Sequence, residues 1–296
     1  VTKKKEILTT EFTKTAEEKM KKIFWILFLV CIGFPAFAAE EARESVFDRV
    51  MRTGTLRCGF IPWPPGFDVD PNTGEVKGPT KELFESIIKL AGWKVEFVQS
   101  SLGNVPLELE TGKFDAMCAD GPWTITNVRL VDYTTPAIYS PIFVYVRESE
   151  TRFKNYADMN VDGVSFVGID GDISSDLAGL RFPKAKLRTL INMTDPAQMM
   201  MEVADGKADA VILDPVTAEN YMKSNPGKMR QLADKNPLAV YPAMMSVKRG
   251  EDKLQQTLSR ATEMAINIGL VDMKADLYDP TRRTIYVPAK GYMPGK

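Results

Sequence analysis

The sequence predicts an α/β protein of two similarly built lobes with a cleft between them, joined by two β-type segments. Three observations carry this. Helical and strand-like stretches alternate along most of the chain. A unit made of an apolar helix, Gly-Lys-x-Asp-Ala and a short apolar strand occurs twice. The chain has 296 residues, 44% hydrophobic and 26% charged, which suits a globular protein of two domains.

The elements are read in order. Met20-Lys21-Lys22 followed by the apolar run Ile23 to Phe34 and by Pro35-Ala36-Phe37-Ala38 is expected to be an export signal over residues 20–38, cleaved after Ala38. The apolar run is too short for a spanning helix, which needs roughly 20 residues. Cys31 follows Val30, where a lipoprotein would carry a small residue. Residues 1–19 are polar, lack apolar periodicity and are read as a mis-assigned upstream extension. Glu40 to Thr53 reads as a helix stopped by Gly54. Thr55 to Phe60 reads as a strand, and Ile61 to Thr73 as a loop holding four prolines, Trp63 and Phe67. Leu83, Phe84, Ile87, Ile88 and Ala91 place a helix over Pro79 to Ala91, stopped by Gly92. Trp93 to Gln99 alternates as a strand, with Trp93 expected in the core.

The repeat pairs residues 105–119 with 199–213, matching Gly112 with Gly206, Lys113 with Lys207, Asp115 with Asp209 and Ala116 with Ala210. Gly stops each helix, and Lys suits the negative end of its dipole. A single αβ connection has the same look, so each copy alone is weak. Both strands run into polar, structure-breaking residues: Asp120-Gly121-Pro122-Trp123-Thr124 and Asp214-Pro215. Ligands of open parallel sheets sit beyond the carboxyl ends of the strands. If the lobes face each other, both sets line one cleft. Met199, Met200 and Met201 are expected as core filler, not a metal site.

Composition narrows the function. There is no histidine, which removes the commonest general base and metal ligand. Residues 1–38 hold seven lysines and four glutamates; the remainder carries 31 basic and 35 acidic residues, net −4. No dense basic run is present in the body of the chain, so nucleic acid is not an expected partner. No cofactor or metal is expected. Cys58 and Cys118 remain in an oxidising compartment, where a disulfide persists if their strands are neighbours.

Thr124 to Arg129 has its own logic. With Thr126 as a helix cap, Arg129 falls in the first turn, where the dipole disfavours a cation. It then has an anion to meet, a ligand carboxylate held by two hydrogen bonds or Asp132 at the surface.

The run GTLRCGF, PWPPGF, the Gly-Lys-x-Asp-Ala unit and DGPWTITNVRLVDYTTP, in that order, resembles the periplasmic solute-binding proteins for polar amino acids, family 3, of the type 2 periplasmic binding protein fold. The likeness spans about Ser45 to Pro288. It implies that Arg129 of Thr126-x-x-Arg129 grips an α-carboxylate, that Thr124 contacts the ligand, that Trp63 or Phe67 packs over it, and that Asp214 takes the α-amino group. Asp120, Gly121, Asp172 and Ser174 complete the candidate ligand-binding set. Two departures stand out. Gly171-Asp172-Ile173-Ser174-Ser175 replaces Gly-Thr-Thr at a helix start, and the loop holding Asp120 and Trp123 is longer by two residues. Both favour a cationic, amine-rich or otherwise unusual ligand, while Asp172 also reads as an ordinary helix cap facing solvent. In the family arrangement the strands of Cys58 and Cys118 are adjacent, which makes them a candidate disulfide.

The expected organisation is residues 39–147 and 238–296 for the first lobe and 148–237 for the second. The expected function is periplasmic capture of a small charged solute, an amino acid above all, for an ABC transporter permease in the inner membrane, by a monomer that is not an enzyme. The competing readings are a dehydratase of cyclic acids on the same scaffold, and an accessory or sensor protein of a periplasmic system. The tail from Thr281, with Arg282, Arg283, Tyr286 and Tyr292, either wraps onto the first lobe or meets a partner.

Overall fold

The computed structural model describes residues 44–120, 125–232 and 236–289, without the side chains of 120–127. The readings on residues 1–43, Gly121, Trp123, Thr124 and Tyr292 lie outside them, as do the side chains of Asp120 and Thr126.

Ser45 to Lys296 forms one compact unit. Helix α1 (Val46–Thr53) starts where the Ser45 side chain accepts from the Asp48 N–H, and ends at Gly54, φ +65°. Strand β1 (Thr55–Phe60) follows, then the short pair β2 (Asp68–Val69) and β3 (Val76–Lys77). Helix α2 (Pro79–Leu90) buries Leu83, Phe84, Ile87 and Ile88, the face that the 3.6-residue spacing marks. Strand β4 (Lys94–Gln99), helix α3 (Val105–Glu110) and strand β5 (Ala116–Asp120) complete the first set. β1 lies between β4 and β5, parallel to both.

Helix α4 (Ile125–Leu130) leads into β6 (Val131–Tyr133) and the ten-residue β7 (Ile138–Arg147). The second set is β8 (Ser165–Ile169), α5 (Ile173–Arg181), β9 (Lys186–Leu190), α6 (Ala197–Ala204), β10 (Ala210–Leu213), α7 (Pro215–Ser224) and β11 (Met229–Gln231). β8 lies between β9 and β10, again parallel to both. The ten-residue β12 (Ala239–Lys248) then returns, followed by α8 (Asp252–Asn267) and α9 (Leu270–Tyr278).

Two long strands connect the parallel sets, in the order β4-β1-β5-β12-β7-β10-β8-β9. Residues 138–142 of β7 pair antiparallel with 239–243 of β12. Beyond that ladder β7 continues along β10, while β12 continues along β5 and β6. The first crossing strand begins at Ile138, and Pro141 sits in its ladder without ending it.

The near-continuous apolar strands are covered on both faces, as parallel strands require. Leu56, Cys58 and Phe60 share one core with α2 and α8, whereas Met117 turns to the other side with Phe114 and Val105. Along β7, Val144 and Val146 face one cluster and Phe143 and Tyr145 the opposite one. Trp93 is buried, and Met199 and Met200 are core side chains, while Met201 is exposed.

The repeat has a structural content beyond its glycines. The Asp115 carboxylate accepts the Arg57 backbone N–H at 2.7 Å, and Asp209 accepts that of Ser165 at 2.9 Å. Each aspartate therefore ties the entry of its strand to the neighbouring parallel strand. Glu108 and Glu202 also correspond: each pairs with the repeat lysine, at 2.7 and 3.1 Å. The sequence reading missed this glutamate pair, which carries the same 94-residue offset.

Cys58 and Cys118 are bonded across β1 and β5, with Cα atoms 5.9 Å apart and a sequence separation of 60. Closing a loop of that length stabilises by about 4 kcal/mol in the chain-entropy model. Cys58→Ser with Cys118→Ser is expected to lower the melting temperature substantially, and thiol titration of the denatured, unreduced wild-type protein should find neither cysteine free.

The tail folds back. Tyr286 exchanges both backbone hydrogen bonds with Tyr139, at 2.7 and 2.8 Å, and Ile285 and Val287 pack on the first core. Asp279 anchors this return. Its carboxylate accepts the N–H groups of Thr284 and Ile285 at 2.6 and 2.9 Å and the Thr284 hydroxyl at 2.8 Å. Burial alone would raise its pKa, but these bonds outweigh burial and hold it at about 2. A depressed folded value means that the stabilisation is complete above the ordinary value of 3.8 and is lost as pH falls through about 2. Melting curves from pH 5 to pH 2 should fall more steeply for wild type than for Asp279→Asn, which starts lower.

Candidate functional site

A cavity of about 220 Å³ lies where the two parallel sets meet. Its wall comes from residues just past the carboxyl ends of the parallel strands: Ile61 and Trp63 after β1, Leu102 and Gly103 after β4, Asp172 after β8 and Asp214 after β10. Ile138, Ser140, Ile142 and Ala243 of the crossing strands form its floor, and Ile285 of the tail closes one side.

The loop after β1 is held by a tight bridge. Trp63 and Phe67 exchange backbone hydrogen bonds at 2.9 and 3.1 Å, and the Pro64–Pro65 peptide between them is cis. This bridge aims the indole across the cavity. Trp63 Nε1 donates to Asp214 Oδ2 at 3.2 Å and to Thr217 Oγ1 at 3.0 Å. A second contact crosses nearby, Asn192 Nδ2 donating to the Leu102 carbonyl at 3.0 Å. Gly171, φ +78°, lets the chain approach closely there: a Cβ on it would lie 3.2 Å from the Gly103 nitrogen.

Asp214 caps α7, its Oδ1 accepting from the Thr217 N–H at 2.9 Å. Asp172 caps α5, accepting from the Ser174 N–H at 2.8 Å. It is thus the helix cap that the sequence allows, but it lines the cavity. Burial pushes the Asp172 pKa up, and the Asp214 charge adds to this against the Ser174 and Ile173 hydrogen bonds. The buried Tyr145 hydroxyl has no hydrogen-bond partner among the described residues. Burial first, then the Asp214 and Glu219 charges, drive its pKa far above the ordinary tyrosine value.

The remaining candidates are spread out. Phe67 lines the cavity from below and is buried, stacked on Phe60 with ring centroids 5.5 Å apart. Ser174 is buried with its hydroxyl 3.9 Å from Met199 Sδ and is not in the lining. Asp120 ends β5. Arg129 is exposed and is absent from the lining. It sits in the last turn of α4, which ends at Leu130. A cation is favoured at that end, so the dipole argument for a bound anion does not apply. Its carbonyl accepts from Arg249, and it is Arg249 that lies 4.0 Å from Asp132.

Sequence reasoning missed Thr217, Thr80 and Ser140, the neutral polar groups of the wall. The Asp214-Pro215-x-Thr217 spacing is a helix-cap signal that could have found Thr217. Among the described residues no cluster of metal-ligating side chains occurs, and no helix is long and apolar enough to cross a membrane.

Comparison with known proteins agrees with this architecture. A probable amino-acid ABC transporter-binding protein of Haemophilus influenzae is 23% identical over 82% of this chain and 91% of its own length. A cyclohexadienyl dehydratase of Pseudomonas aeruginosa is 22% identical over 67% of this chain and 73% of its own. Among solved structures, an ancestral amino acid-binding protein, a precursor of cyclohexadienyl dehydratase, superposes with a TM-score of 0.68 at 26% identity, covering 79% of this chain and 99% of that one. The family model for bacterial extracellular solute-binding proteins, family 3, matches residues 56–280. With its parallel strand ends converging on one cavity, the chain belongs to that family of solute-binding proteins.

Proposed function

We propose that this protein captures a small amine-bearing solute, an amino acid or a close relative of one, in the periplasm and delivers it to an ABC transporter permease of the inner membrane, acting as a monomer and not as an enzyme. The observation that carries the reading is the cavity of about 220 Å³ closed by Trp63 across to Asp214 and Thr217. Residues 39–147 with 238–296 act as one lobe and 148–237 as the other, hinged where β7 and β12 pair. Trp63 and Phe67 supply the aromatic wall, and Asp214 takes the amino group. Neither lobe satisfies the solute alone, so binding favours the closed state. The names of the similar proteins support the solute class.

The test is a thermal-shift screen of protein unfolded and refolded to strip carried-over ligand, against amino acids, amines and small organic acids. An amine-bearing solute should raise the melting temperature, with the effect lost in Asp214→Asn. One observation favours a second reading. Asp172 holds its proton more tightly than an ordinary carboxyl in a largely apolar cavity, as a general acid must, and a dehydratase is among the relatives. A cyclic acid that stabilises the protein and is consumed would establish that reading instead.

A further inference from the structure

We infer that the C-terminal return braces the hinge: Tyr286 clamps β7 at Tyr139 and Arg283 ties the brace to α7, so that residues 281–287 limit how far the lobes open and seat Ile285 in the cavity wall. This rests on the two-lobe reading above and not on the identity of the solute. In the β7–β12 ladder Tyr139 stands opposite Pro242. Both backbone groups of Tyr139 bond to Tyr286, the N–H at 2.7 Å and the carbonyl at 2.8 Å. In an antiparallel ladder the N–H and C=O of one residue point to the same side. Those of Tyr139 therefore point away from β12, and Pro242, which has no N–H, costs that ladder nothing. β7 is thus flanked on both sides at Tyr139. Its pairing with β10 begins at Phe143, opposite Leu213. Between these two anchors lie Ser140, Pro141 and Ile142, none of them glycine, and Pro141 is fixed at a φ of about −65°. Few torsions are left for opening to use.

The brace is fixed to the first lobe. Asp279 holds the N–H groups of Thr284 and Ile285, and Ile285 and Val287 pack on the first core. Arg282 donates to the Asp276 carboxylate at 2.8 Å and to the Asp272 carbonyl at 3.0 Å, which fastens the chain to α9 just before Arg283. Arg283 then reaches Glu219 of α7 at 3.4 Å. These two side chains are 72% and 50% exposed, so the pair trims the hinge equilibrium while the backbone bridge stiffens the hinge itself. Ile285, one residue before Tyr286, lines the cavity. The position of the hinge and the shape of the wall are thereby set by one short segment.

The test is double electron–electron resonance on refolded protein spin-labelled at Lys253→Cys and Lys184→Cys, exposed positions on the two lobes. Tyr286→Pro deletes one bond of the bridge and should broaden the distance distribution roughly twofold. Arg283→Glu and Glu219→Arg should each broaden it less, and the two reversals together should restore the wild-type width. Pro141→Gly with Pro242→Gly loosens the hinge itself and is the control. If the control broadens the distribution while Tyr286→Pro, melting near wild type, does not, the brace is overturned and the two-lobe reading stands. If the control leaves the distribution as narrow as wild type, the two-lobe reading falls and the brace with it. Should Tyr286→Pro melt far below wild type, the charge reversals decide. Single reversals with the wild-type width, or a double reversal as broad as the singles, would overturn the inference.

Discussion

Asp115→Ala should destabilise the protein by about 3 kcal/mol, measured by chemical denaturation at neutral pH. The side chain has no exposed surface and accepts the Arg57 N–H at 2.7 Å, the Arg57 guanidinium at 2.7 Å and the Arg49 guanidinium. Removing it leaves a backbone donor and two cations without their acceptor. The two arginines are 25% and 30% exposed, so water recovers part of the loss. That places the cost at the low end for a broken buried pair. Asp209→Ala breaks the matching tie to Ser165, but Asp209 is 14% exposed and its partner Arg152 is 52% exposed. It should cost less, about 2 kcal/mol. Equal or reversed losses would show that exposure does not set the difference between the two aspartates.

The second large effect is on binding. Asp214→Asn should weaken the solute roughly a hundredfold, since a desolvated ammonium would lose its opposite charge. The cap on α7 survives, because the asparagine oxygen accepts from the Thr217 N–H as aspartate does; the amide that replaces Oδ2 cannot accept from Trp63 Nε1, which keeps Thr217 Oγ1 as its acceptor, so melting of the solute-free protein should fall only slightly. Trp63→Phe keeps an aromatic wall but deletes the donor to Asp214 and Thr217. It should cost roughly tenfold in affinity, expressed mainly as faster dissociation because the closed state loses a bond across the cleft. A Trp63→Phe protein that binds as tightly as wild type would mean that the indole is wall only.

The fold was legible where apolar periodicity and glycine stops are strong. The helix at Pro79 ends within a residue of its expected boundary, and the strand of Thr55 to Phe60 matches at both ends. The repeat pointed to two equivalent αβ units, and both strand pairs are parallel as expected. The site was less legible, because its geometry depends on helix starts a residue or two long. Choosing Thr126 as a cap put Arg129 in a first turn, whereas the helix ends at Leu130 and holds it in the last. Ser174 follows the Asp172 cap by two residues, which turns its hydroxyl inward to Met199 rather than to the cavity. Thr217, Thr80 and Ser140 come from three distant segments and meet only in the folded chain.

The most direct test of the account is calorimetric titration of refolded protein and its Asp214→Asn variant with the solute that the thermal screen selects. The account predicts one-to-one binding of an amine-bearing solute to wild type and a roughly hundredfold weaker interaction with the variant. Equal affinities in the two proteins, or selection of a solute without an amine, would contradict it.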